Sequence, residues 1–529
     1  MKKLFTLCAA ACMASSMMAT DYNGQLAVIL NGQMADTHKT TISINKQDDG
    51  NYTLSLKNFS MGEGDEALYV GNVELTGVKA EKNDEGFYEM ETTQGIAITA
   101  GDDNTKDWMG PMLTLANGGK IDVSVIAAFN DDRLTTTINI PFGTLGIDVV
   151  FDNGNYHLLN GGFEDYHKAT LYSPEDSTEF VTSDEPNNWH SFMSASGPSV
   201  FRWMAGYNPV AFIDNEVRPG STGKHSLKLK AIDMYLAIAN GTITTGRMNT
   251  GSFSAADTNS NYAWLDSSDA KDDNGDPFYT KMDGVPDSLK VWVKFGQGNA
   301  TGSKAKDHPY ATITAIITDG TSFQEPAPSD VTYNNVVAEA RNPKIASTNN
   351  KWQEITIPFE LKNAELDPKQ ILVTCSTNAD AGMGSDGDSL YIDDMQLIYN
   401  SELSDIKVKG KSIAGFKSDV HEYTIAFDGM PSEDDIEEVY VKDNGDCIVY
   451  IDEENQQINL LSLAQDLQSS TLYTLKVVAT GIDSVNGDKV SNNACIGYYD
   501  LSGIKVANPQ AGKVYIAKYA DGSVKKIVK

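Results

Sequence analysis

The sequence predicts an all-β protein of several domains, and three observations predict it. Polar and apolar residues alternate in short runs, turn signals separate those runs, and no helical period of useful length interrupts them. In Asn51–Lys57, Tyr52, Leu54 and Leu56 share one face, and Thr53, Ser55 and Lys57 share the other. Asp48-Asp49-Gly50, Asn83-Asp84-Glu85-Gly86 and Asn117-Gly118-Gly119 are turn signals. Further strand-like runs fall at Leu26–Leu30, Thr40–Ile44, Tyr69–Val78, Lys120–Ala128 and Thr135–Ile140. Evenly spaced strands with short turns predict an up-and-down barrel or a sandwich over residues 21–153.

The N-terminus predicts export. Met1-Lys2-Lys3, the apolar run Leu4 to Ala14 and small residues up to Thr20 have the order of a secretory signal peptide, residues 1–20, with cleavage near Ala19 or Thr20. A lipoprotein reading, with Cys12 after Ala9-Ala10-Ala11, stays open beside it. No later stretch is apolar for the roughly eighteen residues a spanning helix needs, so no transmembrane span is expected after the signal peptide. The expected location is the periplasm, the outer-membrane surface or the extracellular space, which admits partners at that surface. With 73 acidic and 41 basic residues the net charge is −32, which disfavours nucleic acid as a partner. Two of the five cysteines precede Thr20; Cys375, Cys447 and Cys495 remain, an odd and widely spaced set that makes neither a disulfide framework nor a zinc motif.

Four segments follow the signal peptide. The stretch Asp49 to Ser60, with the turns around it, resembles the calycin-like β-barrel domains of secreted Bacteroidetes proteins, which implies a small lipocalin-like barrel over 21–153. Residues 155–400 open with Leu158-Leu159-Asn160-Gly161-Gly162-Phe163-Glu164. They continue through Glu185–Trp189, Gly223–Leu229, Pro286–Val293 and Lys351–Phe359, and close with Asp388–Leu397. That succession resembles the β-jelly-roll modules of carbohydrate-binding proteins, and more narrowly the Bacteroidetes "putative carbohydrate metabolism" domain. Residues 401–482 open and close on alternating strands, and their length suits a small immunoglobulin-like sandwich. Within it, Leu460, Leu461, Leu463 and Leu467 are read as one or two helical turns, and Ser432–Glu438 as a solvated loop. The β tail, 494–529, resembles the ends of secreted Bacteroidetes proteins, including sorting domains; a sorting address and a structural hairpin both stay open.

No hydrolase elbow, metalloprotease, P-loop or dinucleotide motif occurs. The seven histidines are scattered and read as bystanders. Asp386 and Asp388 lie among glycines, and Asp393 and Asp394 are adjacent, so neither pair makes a convincing acid–nucleophile couple. Asp269–Asp276 fails the EF-hand pattern at Ala270 and is read as a flexible acidic loop. The jelly-roll resemblance implies a structural calcium, with Glu164 and Asp393 at the matching positions. Sugar recognition asks for exposed aromatic faces beside polar groups. Strand parity turns Trp292 and Tyr310 outward on consecutive strands, as a binding platform needs, and Arg202, Trp203 and Tyr207 form an aromatic-rich segment suited to a cleft. The expectation is a non-catalytic glycan-binding or surface-scaffold protein. The rivals are a glycan-active enzyme whose carboxylates converge from distant strands and a purely structural or adhesive surface protein.

Overall fold

The structure is a computed structural model that describes residues 19–62, 67–142, 145–173, 175–234, 238–440, 446–479, 495–499, 505–507, 509–510, 514–519 and 523–528. Cys12 and residues 1–18 of the signal-peptide reading (1–20) lie outside the described residues. The described chain is nearly all β.

The first unit is one nine-stranded antiparallel sheet. Its two ends meet where Leu68–Val78 approaches Tyr88–Ile96. Side chains complete the closure: Gln94 accepts from the Thr76 N–H at 3.3 Å and donates to the Thr76 carbonyl at 2.9 Å. Inward residues such as Tyr22, Leu26, Val28, Leu54, Leu56 and Phe151 pack into one apolar core. The strand Thr20–Leu30 does not alternate at 26–29 because both of its faces are covered. Leu26 and Val28 enter the barrel, while Ala27 and Ile29 pack on Leu461, Leu463 and Leu467 of the third unit.

The second unit is a sandwich. One sheet is ordered Ala211–Asp214, Ser226–Lys230, Ser389–Ile398, Ser288–Gly296, Gln353–Pro358. The path of the other runs Thr242–Thr244, Gln370–Ser376, Ala311–Thr318, Val336–Ile345, Glu360–Leu361. Leu289, Val291, Val293 and Phe295 of the first share a core with Ala311, Ile313, Ala315 and Ile317 of the second. A register shift between Lys290 and Trp292, where the partner strand places Asp394 at φ 45°, marks a bulge. Outside the sandwich lie the hairpin Tyr166–Tyr172/Glu179–Pro186, the short helix Ser199–Gly206 and a small sheet of Arg247–Asn249, Tyr262–Trp264 and Gln324–Glu325.

The third unit packs a three-stranded sheet on a four-stranded one. Two expectations are corrected here. Leu460, Leu461 and Leu463 lie on the strand Gln457–Leu463, not on helical turns: Leu460 faces its own core, while Leu461 and Leu463 face the barrel, so no exposed position interrupts it. The acidic segment 432–438 is a 3-10 turn, Glu433–Asp435, leading into the strand Ile436–Tyr440, which pairs with Leu403–Val408. The described tail residues form a four-stranded antiparallel sheet, more than a single hairpin.

Candidate functional site

The hairpin, the Ser199–Gly206 helix and the loop 271–278 enclose a cleft of about 350 Å³. Tyr172, 52% exposed, stands at its rim, and Arg202, Trp203 and Arg247 line it. Trp203 is half-buried; its ring lies 5.1 Å from that of Phe180 and 5.6 Å from that of Tyr207. The Ser199–Gly206 helix starts at Pro198 and presents successive residues to different neighbours, so Trp203 seats on Leu171 and Met193 beside Arg202. Arg202 Nε is buried without a hydrogen-bond partner, and Arg247 is paired with Asp266 at 3.0 Å. Glu185 and Asp272, distant in sequence, both line the cleft.

Behind that lining lies a polar cluster that the sequence reading missed. His190 is fully buried and packs against Phe278 at a tilt, with ring centroids 4.5 Å apart. Its Nε2 is 3.4 Å from Asp272 Oδ2, and His167 Nε2 is 3.5 Å from the same oxygen. Asp272 Oδ1 accepts from the backbone N–H groups of Asn274 and Asp276 at 2.9 and 2.8 Å. Asp276 Oδ2 accepts from the Asn188 N–H at 2.9 Å and from Asn274 Nδ2 at 3.0 Å. The loop 269–276 is therefore not a free acidic loop: Lys271 and Pro277 bridge, and the Asp272 side chain is 1% exposed. Burial raises the pKa of Asp272, but its polar contact with His190, the bond from the Asp276 N–H and the charges of both histidines outweigh it, and the net shift is downward. Glu185 shifts the other way. Burial dominates and raises it, against the charge of His190 and the Ser191 N–H, which donates to Glu185 Oε1 at 2.5 Å. The nearest signal in sequence was His167 and His190 flanking one hairpin, with Asp272 and Asp276 four apart in a loop.

The other expected residues are dispersed. Trp292 and Tyr310 follow each other along the chain but belong to opposite sheets of the sandwich, Tyr310 just before its strand. Because the two sheets share one core, their outer faces point apart, and these rings form no common platform. Trp292 is half-buried under Arg218, whose guanidinium carbon is 5.5 Å from the ring centroid; Tyr310 is 38% exposed. Tyr207 is exposed beside the cleft. Glu164 accepts from the Lys224 N–H at 2.9 Å and the His225 N–H at 3.1 Å. Asp393 Oδ2 accepts from the Arg218 N–H at 2.8 Å, and its Oδ1 is buried without a hydrogen-bond partner. With the Arg218 guanidinium on Asp394, most donors here complement carboxylates and not a cation, so no role is routed through calcium. Asp388 accepts from the Ser385 and Gly298 N–H groups at 2.7 and 2.9 Å and shapes its loop.

Residues 18–154 match the family described as calycin-like beta-barrel domain, and residues 162–398 the family described as "putative carbohydrate metabolism domain". The chain is a calycin-like barrel followed by a domain of that carbohydrate-related family. No curated protein matches it. Among solved structures, it is similar to a "putative glycoside hydrolase" from Bacteroides thetaiotaomicron at 14% identity, over 74% of this chain and 99% of that one, TM-score 0.32. It is also similar to a "putative outer membrane protein" from Bacteroides fragilis at 12% identity, over 68% of this chain and 96% of that one, TM-score 0.17. Among the described residues no helix is long and apolar enough to cross a membrane.

Proposed function

We propose that this is an exported glycan-binding protein, working outside the inner membrane without covalent chemistry, and that the cleft beside the jelly roll is its recognition site. One observation carries the reading: an exposed tyrosine, a half-buried tryptophan and two guanidinium groups converge on one cleft of sugar-sized volume. Aromatic faces stack on the C–H faces of a pyranose, and guanidinium N–H groups satisfy its hydroxyls. Residues of the cleft come from four separate stretches of a carbohydrate-family domain, and its rim is open to solvent.

The test is a glycan array probed with the full chain and with two variants. Tyr172→Ala removes an exposed ring that supports no core, and Arg202→Ala removes a guanidinium. Each is expected to weaken retention at least about fivefold, since aromatic stacking and a charged hydrogen bond are each worth roughly 1–3 kcal/mol. Their melting temperatures should stay within about 2 °C of wild type. Retention of no glycan by the wild type, or equal retention by both variants, sinks the reading.

A second reading has its own observation: Glu185 and Asp272, both in the cleft lining, come from distant strands and loops as a glycan-active enzyme requires. Release of reducing ends from a glycan panel, lost in Glu185→Gln, would replace binding by catalysis as the function.

A further inference from the structure

We propose that His167, Asp272 and Asp276 bind one divalent transition-metal ion of the zinc class, with His190 packed behind Asp272. The inference does not depend on the glycan reading. Ligand atoms of His167, Asp272 and Asp276 lie within 4.8 Å of one another, and His190 reaches the same Asp272 oxygen from the buried side.

Three facts separate this cluster from an ordinary ion-paired network. First, the atoms turned toward each other have no hydrogen-bond partner: His167 Nε2, His190 Nε2 and Asp272 Oδ2 are all buried and unsatisfied. Buried polar atoms are usually paired, and each unpaired one costs on the order of 1–3 kcal/mol. Second, the separations suit a shared centre. Two ligands each about 2.0–2.1 Å from a tetrahedral ion lie about 3.3–3.4 Å apart. The observed distance from His167 Nε2 to Asp272 Oδ2 is 3.5 Å. Third, the outer atoms of His167, Asp272 and Asp276 are already fixed, although His190 Nδ1 is buried without a partner. His167 Nδ1 lies 3.0 Å from the Asn187 side-chain oxygen, which sets the tautomer that leaves an Nε2 lone pair facing inward. Asp272 Oδ1 and Asp276 Oδ2 are held by backbone N–H groups, so each aspartate can turn its remaining oxygen to the ion. One imidazole with two carboxylates, leaving a fourth position for water, suits zinc and its neighbours; calcium takes an all-oxygen shell of six to eight ligands.

The experiment uses the full chain without an affinity tag, stripped by chelator and dialysed, then titrated calorimetrically with zinc chloride. One zinc per chain is expected, with at least about a hundredfold weaker binding in Asp272→Asn and His167→Gln. Asn187→Ala, which removes the group that orients His167, should lose about tenfold, and His421→Gln, far from the cluster, should change nothing. Cobalt bound to the wild type should give the strong visible absorption of a four-coordinate site, a readout that needs no variant to fold. The proposal is overturned if the wild type takes up no stoichiometric zinc, if folded Asp272→Asn and His167→Gln bind it unchanged, if calcium binds as tightly, or if the cobalt spectrum is octahedral.

Discussion

At the scale of single residues, Asp393 shows burial working against ionisation. Its side chain is fully buried. Burial chiefly, opposed by the Arg218 N–H and reinforced by the charge of Asp394, pushes its pKa up to about 6. Unfolded, the group titrates near 4, so between about pH 4 and 6 the native state holds a proton that the unfolded chain has released. Stability from this group therefore falls as pH rises through that window. Asp393→Asn keeps an acceptor for the Arg218 N–H and removes the charge. Relative to wild type, the variant should gain on the order of 1–3 kcal/mol between pH 4 and pH 7, read from urea unfolding at both. A difference that does not change with pH would contradict the assignment. Residue identity made some of the site legible in the sequence: Arg202, Trp203 and Tyr207 stand out as an aromatic run with a guanidinium, and the cleft contains two of them. His190 reads in the sequence as a bystander and Asp272 as part of a flexible acidic loop. They are 82 positions apart in the numbering, and only the packing of a loop against a hairpin buries both.

At the scale of elements, the strands that misled are those buried on both faces. Alternation marks a strand when one face is wet, as in Ile121–Phe129, whose pattern is strictly buried–exposed with one intermediate step at a time. The strand Gln457–Leu463 shows no alternation because Leu461 and Leu463 meet Ala27, Ile29 and Val150 of the barrel. Only that contact explains the leucine run, and no local property of the segment records it. Leu461→Ala should cost about 2–5 kcal/mol, as for other fully buried leucines, even though the side chain lies outside its own domain's core. A loss under about 0.5 kcal/mol by calorimetry would mean that the barrel does not rest on this strand.

At the scale of the whole molecule, the jelly roll is tied to the barrel through Arg133. Its guanidinium reaches Asp152 of the barrel at 2.9 Å, Tyr156 at 2.7 Å and Asp283 of the jelly roll at 3.2 Å. Thr37 of the barrel donates to the Leu467 carbonyl of the third unit at 2.8 Å. Arg133→Met leaves Asp152 and Asp283 without their cation and should cost about 3–5 kcal/mol. In a calorimetric scan it should split the barrel transition from that of the jelly roll. An unchanged scan would make the junction incidental. These contacts tie the units together through residues outside the cleft lining, so the cleft rim stays open.

That recognition surface is the central claim, and hydrogen–deuterium exchange of the full chain with and without a glycan retained on the array tests it most directly. Protection should appear at Ala169–Ser173, Ser199–Trp203 and Lys271–Asp273, and the outer face around Trp292 should exchange unchanged. Protection confined to the Trp292 strand, or to the barrel, would contradict it.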